Sequence, residues 1–447
     1  MFRLNNKDEL TPELIKRMVY KFRQSDLPRL IKLKDYYLNK TDILKRVQAD
    51  PTKPNNKVVH PYSQYITDTL CGYFMGEPVT YSGSEAGIDE LKLVLEYNDE
   101  QNENMELAKN CSIYGRAWEL MYIDSDGSIR FTNIDTKEII PIYGTTIEDE
   151  LVAVIRFYDE YNLIKDAMET IVEVYTDKEV IRYKASTTLD TLQPIDSQPH
   201  FFGCVPFVEY RNNDDMTGDF EGVMSLIDAY DALVSDDLND FEYFCDAYLA
   251  LYGYTADAED IRAMKENRVL LMDENTKAEW LTKAGDSAGV ETTKQRIERD
   301  IHKFSKTPNS SDENFGGNSS GVAMRYKLLG TENLASIKER KFKKGLQRRL
   351  EIISIIFSLT RKADLDWMGV DIVFTRNLPV NEGDITTLVQ NLDGIVSKRT
   401  LLGQLPFVED ADKELEQLQK ETESTIYYTA GVNPTVLNKE EEDSEVE

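Results

Sequence analysis

The chain has 447 residues, and its 81 acidic and 52 basic side chains give it a formal net charge of −29. This length predicts about two to four domains or one elongated subunit, and a hydrophobic content of 41% excludes wholesale disorder. So acidic a protein is not expected to hold nucleic acid or an anionic membrane with its whole surface, which leaves local basic patches for such contacts.

The N-terminal half predicts helices followed by a sheet. Thr11, followed by an apolar stripe at Leu14, Met18 and Phe22, indicates a capped helix start, and 58–76 predict another helix. Strand-type sequence begins near residue 117. Two strands flank the turn at 124–127, and three more are predicted at 151–158, 171–175 and 180–183. The sequence therefore predicts an α+β fold that is mainly helical, with an antiparallel sheet.

The segment 219–250 is strongly acidic. It contains nine acids and neither Lys nor Arg, while its apolar residues recur at spacings of three, four or seven. These features predict a long amphipathic helix with one anionic face, which includes Asp228, Asp231, Asp236 and Asp240. Like charges one turn apart destabilise an isolated helix, so burial of the apolar stripe must offset that repulsion.

The next segments predict a hairpin of helices and a polar loop. A small α/β insert over 251–285, with a helix at 257–266 and a strand at 268–272, separates the acidic helix from a second helix near 289–304. The stretch 308–321 is a loop by composition. Its polar residues include Asn309, Ser310, Ser311, Asp312, Asn314 and Asn318.

A basic run lies within the helical pattern that follows, over 322–362 with an interruption at Gly330. The run includes Lys338, Arg340, Lys341, Lys343, Lys344, Arg348 and Arg349. It could contact DNA phosphates, but pairing with acidic neighbours, for example the acidic helix of an adjacent subunit, is favoured because the chain is so acidic. A strand at 371–376 and helices over 384–430 follow. Six acids among the last eight residues predict a disordered tail.

Known catalytic motifs receive little support from the sequence. The chain has no phosphate-binding loop, no HExxH and only three histidines, at positions 60, 200 and 302. A GxSxG match at 317–321 follows a polar loop rather than a strand and has no downstream His, so a helix cap is the simpler interpretation. The turn at 124–127 resembles the start of a calcium loop, but residue 135 is Asp rather than the required Glu.

One enzymatic alternative stays open. The acids near 236–240 could bind divalent cations, as in a metal-dependent nuclease or packaging enzyme. Nuclease sites collect carboxylates from different elements around a pocket, whereas acids spread along one helix more often form a solvated face. Cleavage of plasmid DNA in the presence of divalent cations would distinguish the two interpretations.

The sequence also indicates where the protein is made. The four cysteines, at 71, 111, 204 and 245, form no CxxC pair, which argues against a zinc site or a disulfide framework and for free thiols. The N-terminus lacks a signal peptide, and the longest apolar cluster, 350–359, is too short to span a bilayer. We therefore expect a soluble protein made in the cytoplasm.

Several stretches, in this order, resemble the portal protein family of tailed bacteriophages, in particular long-tailed phages of Gram-positive hosts. They cover most of the chain and are NNKVVHPY at 55–62, GYFMGEPVTY at 72–81, IRF at 129–131, IIPIY at 139–143, NNDD at 212–215, DIHKFS at 300–305, SDENFGG at 311–317 and SGVAMRYKL at 320–328. The resemblance implies an elongated subunit with wing, stem, clip and crown, twelve of which form a ring around a DNA channel at one capsid vertex.

The family's organisation can be placed on this chain. It implies N-terminal helices and a wing sheet over 1–215, a first stem helix over 216–250, a clip over 251–285, a second stem helix over 286–306, a tunnel loop over 307–320, a long kinked wing helix and strand over 321–382, crown helices over 383–430 and an acidic disordered tail over 431–447. The four acids named above would form an acidic stem face, and the loop residues would line the narrowest part of the channel.

The resemblance also implies partners and a location. Double-stranded DNA passes through the ring, the large subunit of the terminase docks on it during filling, and a head-completion or adaptor protein docks later. Major capsid and scaffolding proteins surround it, with no membrane contact. The subunit would be a virion component assembled in the host cytoplasm, without a cofactor and without enzymatic activity. Its basic interface or DNA patch would be Lys338, Arg340, Lys341, Lys344 and Arg348.

Overall fold

A computed structural model describes the chain over 2–5, 9–51, 53–83, 87–245, 248–252, 277–281, 287–309, 326–360, 364–377, 389–403 and 414–421, with 257, 259, 261–262, 405, 408 and 411. Two compact units are present: 1–312 with 327–377, and 313–326 with 378–447. The predicted strand at 268–272, most of the helix at 257–266, most of the loop at 308–321 and the acidic tail lie outside the described residues.

The first unit begins with a long helix, α1 (Pro12–Tyr37). Thr11 caps it as predicted, since its Oγ1 accepts a hydrogen bond of 3.3 Å from the backbone N of Leu14. Pro12 stands at the first helical position, where the missing amide hydrogen is not needed. The core-facing stripe includes Met18 and Phe22, both buried, as the spacing predicted.

Three further helices and a small sheet follow. The helices are α2 (Tyr62–Met75), α3 (Ile88–Tyr97) and α4 (Glu100–Tyr114), of which only α2 was predicted. Gly115 ends α4 with φ of +87°, and a Cβ there would lie 2.0 Å from the carbonyl oxygen of Met216. The chain then enters the predicted hairpin of β3 (Arg116–Ile123) and β4 (Ile129–Ile134), which β10 (Phe207–Arg211) extends.

A six-stranded sheet forms the second β layer. Its strands, in order, are β1 (Phe2–Arg3), β5 (Ile139–Tyr143), β6 (Leu151–Asn162), β7 (Ala167–Tyr175), β8 (Glu179–Ser186) and β9 (Gln193–Pro199). The β1–β5 pair is parallel and the other pairs are antiparallel. The three strands predicted between 151 and 183 are confirmed and are longer than expected. A separate pair joins β2 (Thr80–Ser82) to β13 (Asp371–Val373).

A hairpin of helices leaves this body of the unit. It consists of α5 (Met224–Cys245), β11 (Tyr248–Tyr252), β12 (Lys277–Leu281) and α6 (Ser287–Ser305), with β11 antiparallel to β12. An ion pair of 2.5 Å joins Asp237 to Lys294, and Ile227 and Ile301 share one core. These contacts mean that α5 and α6 run antiparallel, as expected for the legs of a hairpin.

The long helix α7 (Leu329–Thr360) packs across the first unit. The predicted interruption at Gly330 is wrong, because Gly330 is helical and the chain turns at residue 328. Buried Phe342, Leu346 and Phe357 point from α7 into a core shared with α3, α4 and the three-stranded sheet. In the second unit, α8 (Lys398–Leu402) and residues 414–421 are helical.

Three clusters of buried apolar residues hold the first unit together. The first packs α1 against the six-stranded sheet and includes the first turns of α5, and the second packs α7 against α3 and β3. The third lies between the two sheets, around Trp118, Val154 and Phe207. Each large apolar side chain fully buried in this way contributes about 1.5–3 kcal/mol relative to an exposed one. The hairpin is therefore anchored at its base by the first core.

Candidate functional site

The acids of α5 contact several different partners within the chain. Asp228 accepts a hydrogen bond of 2.6 Å from the hydroxyl of Tyr36, and burial raises the pKa of Asp228. Asp236, with 65% of its side chain exposed, accepts one of 2.6 Å from Arg46. Asp240 is exposed. Of the predicted acidic face, Asp236 and Asp240 are thus the members that lie exposed at the surface of the subunit.

Asp231 does not belong to that face. Its side chain is completely buried, and its carboxylate accepts hydrogen bonds from the hydroxyl of Thr41 at 2.7 Å and from the backbone N of His60 at 2.9 Å. The prediction of a solvated Asp231 is wrong, because this position shares the core-facing side of α5 with Ile227 and Ser235. Its function in the subunit is to fasten α5 to the segments that precede α2.

Lys338 likewise does not belong to the predicted basic patch. It is buried and forms an ion pair with Asp219, which also accepts hydrogen bonds from Ser112 at 2.5 Å and Asn212 at 2.8 Å. Burial disfavours the ammonium, but Asp219 and the other groups around it together outweigh that effect, and the pKa of Lys338 is raised. The prediction that Lys338 is exposed is wrong, because this residue faces the same side of α7 as Phe342.

The other basic residues of α7 divide into paired and unpaired groups. Lys341 pairs with Asp214, and Arg348 pairs with Glu351 at 2.6 Å. Arg340 and Lys344, one turn apart, are exposed and have no ion-pair partner among the residues that the structure describes. The patch predicted from sequence is therefore reduced to these two cations.

Sequence reasoning missed a buried polar network centred on Arg349. This residue is fully buried, and it donates hydrogen bonds to Glu100 at 3.1 Å and to Asn104 at 2.9 Å. The sequence contained one signal for it: Arg349 follows Phe342 and Leu346 at helical spacing, on the apolar side of α7. The network joins α7 to α4 inside the second core and contributes no surface charge.

The described part of the polar loop begins beside a small cavity. Asn309 donates a hydrogen bond of 3.3 Å to Glu298, and Pro308 accepts one of 2.8 Å from Tyr65. The cavity, about 260 Å³, is lined by His60, Pro61, Tyr62, Tyr65, Glu298, His302 and Asn309. The predicted loop residues Ser310, Ser311, Asp312, Asn314 and Asn318 lie outside the described residues.

The described residues provide no metal-binding cluster. No group of three or more His, Cys, Asp or Glu side chains among them could hold a metal ion, and the acids of α5 are distributed among separate partners. Nothing in this arrangement favours the nuclease alternative. Cys71 and Cys111 are buried free thiols, and Cys204 is a half-buried one. Within the described part of the chain, no helix is both long and apolar enough to cross a membrane.

Comparison with known proteins identifies the family. Residues 19–427 match the family model described as phage portal protein, SPP1 Gp6-like. The chain therefore belongs to the phage portal proteins, and within them to the SPP1 Gp6-like family. The family is a structural one whose members are components of the phage particle.

Two relatives, each named portal protein, are similar along most of their length. The one from Bacillus phage SPP1 is 26% identical over 449 residues, which cover 93% of this chain and 84% of the relative. The one from Clostridium phage phiCD119 is 27% identical over 429 residues, which cover 88% and 92%. The resemblance inferred from the sequence is confirmed, and so is a portal function.

Proposed function

We propose that twelve copies of this chain form a ring at one capsid vertex, and that double-stranded DNA passes through its channel during packaging and ejection. The family match over 19–427 carries this proposal. The antiparallel pair α5 and α6, closed by β11 and β12, supports it, because a stem and clip require this arrangement. ATP hydrolysis and DNA cutting would belong to the packaging motor rather than to this chain.

The same proposal assigns parts of the chain to partners. The clip, between α5 and α6, would dock the large terminase subunit during filling and a head-completion or adaptor protein afterwards. The six-stranded sheet would belong to the wing, near the major capsid and scaffolding proteins, and the helices within 383–430 to the crown. The loop over 307–320 would line the narrowest part of the channel. Assembly would take place in the host cytoplasm, without membrane contact.

Charge on the channel wall would keep DNA mobile. DNA carries about one charge per 1.7 Å, and at about 0.1 M salt an anionic wall repels it over a screening length of about 10 Å. Asp236 and Asp240 are exposed, so they could serve either on this wall or in a contact with a neighbouring copy. Neutral Asn and Ser side chains suit the loop that touches DNA.

The two exposed cations of α7, Arg340 and Lys344, would contact a neighbouring subunit or DNA. Charge reversal by R340E/K344E should reduce ring formation or DNA filling. The matched control is R17E/K92E, which reverses an Arg and a Lys that are also exposed but lie on α1 and α3. Normal assembly and filling by R340E/K344E would show that this assignment is wrong.

The experiment that tests the ring is negative-stain microscopy of the purified protein combined with light-scattering mass. Twelve subunits of 51.3 kDa should give about 616 kDa and a central hole wide enough for duplex DNA. Rings of one more subunit would still support the channel. A monomer or dimer at every salt and protein concentration would overturn the proposal.

A further inference from the structure

Helix α6 carries a row of cations on the side turned away from its own core. Ile301 faces the core and is completely buried. Arg296, Arg299 and Lys303, at spacings of three and four, are all exposed and share the opposite face. Arg296 is 80% exposed, and the carboxylate that it approaches, Asp300, lies at 3.9 Å. We call these three residues the cationic stripe.

The C-terminal half of α5 presents the opposite chemistry. Asp236 and Asp240 lie one turn apart and are exposed, and Phe241, which follows Asp240, is 68% exposed. Aromatic side chains are enriched in the cores of protein–protein contacts. We call these three residues the acidic–apolar face.

The cationic stripe also has an apolar neighbour. Phe304, which follows Lys303, is 60% exposed, and the Lys303 ammonium lies 5.5 Å from the centre of its ring. A phosphate backbone offers no apolar surface to such a ring, whereas the acidic–apolar face does. The apolar residues on both helices therefore favour a protein partner over DNA.

We propose that the cationic stripe of one copy packs against the acidic–apolar face of α5 in a neighbouring copy of this chain. This inference rests on the ring proposed above and specifies one of its contacts. Within one chain, an acid of α5 already forms an ion pair with a base of α6, since Asp237 binds Lys294. The contact between copies would repeat this acid-to-base pairing, and it would place Asp236 and Asp240 between copies instead of on the channel wall.

The geometry of the contact suits a ring. Two different patches on one chain produce a head-to-tail contact, and such contacts close into a ring when the rotation between copies permits it. Copies with a net charge of −29 repel one another, so assembly requires local complementary charge. The stripe would supply that attraction on α6 of one copy, and the acidic–apolar face would supply it on α5 of the next.

Charge exchange tests the contact in the full-length chain. R299E/K303E reverses the stripe, D236K/D240K reverses the acidic face, and a third variant combines all four changes. At about 0.15 M salt, where screening extends over about 8 Å, each double variant should lower the fraction of protein in rings about tenfold. The combined variant should restore that fraction to within about threefold of wild type. The control R17E/K92E carries the same change in charge as R299E/K303E and should assemble as wild type does.

Several outcomes would overturn the proposal. Rings of R299E/K303E as abundant as those of the control would show that the stripe is not at the contact, while the ring itself would stand. Absence of wild-type rings under all conditions would instead remove the ring and this contact together. Retained rings combined with weaker binding of a 30-bp duplex, measured by fluorescence anisotropy, would reassign the stripe to DNA. Asp236 also binds Arg46, so its replacement could disturb the fold of the subunit. D240K alone avoids that change, and thermal unfolding of every variant shows whether a loss of rings is caused by a loss of folding.

Discussion

Arg349 of α7 and Glu119 of β3 form a fully buried, two-point ion pair, with 2.7 Å between Nη2 and Oε1 and 3.0 Å between Nε and Oε2. The guanidinium also lies 4.5 Å from the centre of the Phe131 ring. Burial disfavours the cation, but Glu119 and the other groups around the guanidinium together outweigh that effect and hold the pKa of Arg349 well above its usual value. This pair fixes the position of the long helix on the three-stranded sheet.

Removal of this cation should destabilise the subunit severely. Arg349→Met leaves the carboxylates of Glu119 and Glu100 buried without their positive partner, and we expect it to cost about 3–5 kcal/mol of unfolding free energy. Arg348→Met is the matched control, since its ion pair with Glu351 is partly exposed and contributes less than about 1 kcal/mol. Urea unfolding followed by circular dichroism measures both. Equal losses in the two variants would contradict a structural role for the buried pair.

The sequence predicted those elements whose apolar spacing is regular. Local sequence was enough to predict the apolar stripe of α1, the acidic amphipathic helix α5 and the hairpin of β3 and β4. Helix α4 could not, because its side chains are largely polar and yet many of them are buried. Asn104 is buried in α4 with its amide group bonded to Glu100 and to Arg349, and Arg349 lies 245 residues later in the chain.

The same reason explains the errors in the candidate surfaces. A sequence shows that Asp231 and Lys338 are charged, but their burial depends on partners supplied by distant segments. The backbone of His60 binds Asp231, and Asp219 binds Lys338. The exposed cations of α6 were overlooked for the converse reason, since they are interleaved with acids along the sequence and separate only on the surface of the helix.

The buried pair of Lys338 and Asp219 supports a second stability prediction. Lys338→Met leaves Asp219 buried with only neutral donors, and we expect a loss of about 3–5 kcal/mol. Lys341→Met, three residues away, removes a pair whose acid, Asp214, is largely exposed, and should cost less than about 1 kcal/mol. Midpoints of guanidinium unfolding distinguish the two. A Lys338→Met protein as stable as Lys341→Met would mean that the charge is not required at this position.

Gly115 provides a prediction that depends on backbone geometry. Gly115→Ala combines φ of +87° with a Cβ 2.0 Å from the carbonyl oxygen of Met216, so we expect a loss of about 2 kcal/mol or more. Gly222→Ala is the control, because a Cβ there meets no atom within 4 Å and φ is not positive. That substitution should change stability by less than about 1 kcal/mol. The two variants should therefore differ clearly in Tm. A Gly115→Ala protein with the same Tm as the control would refute the close contact between residue 115 and the Met216 carbonyl.

The dependence of stability on pH provides the last prediction, and it concerns His302 beside the small cavity. Burial lowers the pKa of His302 below its usual 6.5. The unfolded chain therefore binds a proton more readily than the folded one, so this contribution to stability is complete above about pH 6.5 and is lost as the pH falls further. His302→Gln cannot take up that proton and should show a smaller fall in Tm between pH 7.5 and pH 5.5. Burial raises the pKa of Glu100 and acts in the opposite direction, but both proteins retain Glu100, so the difference between them reports on His302. An equal fall in Tm would mean that His302 is protonated as easily in the folded subunit as in the unfolded chain.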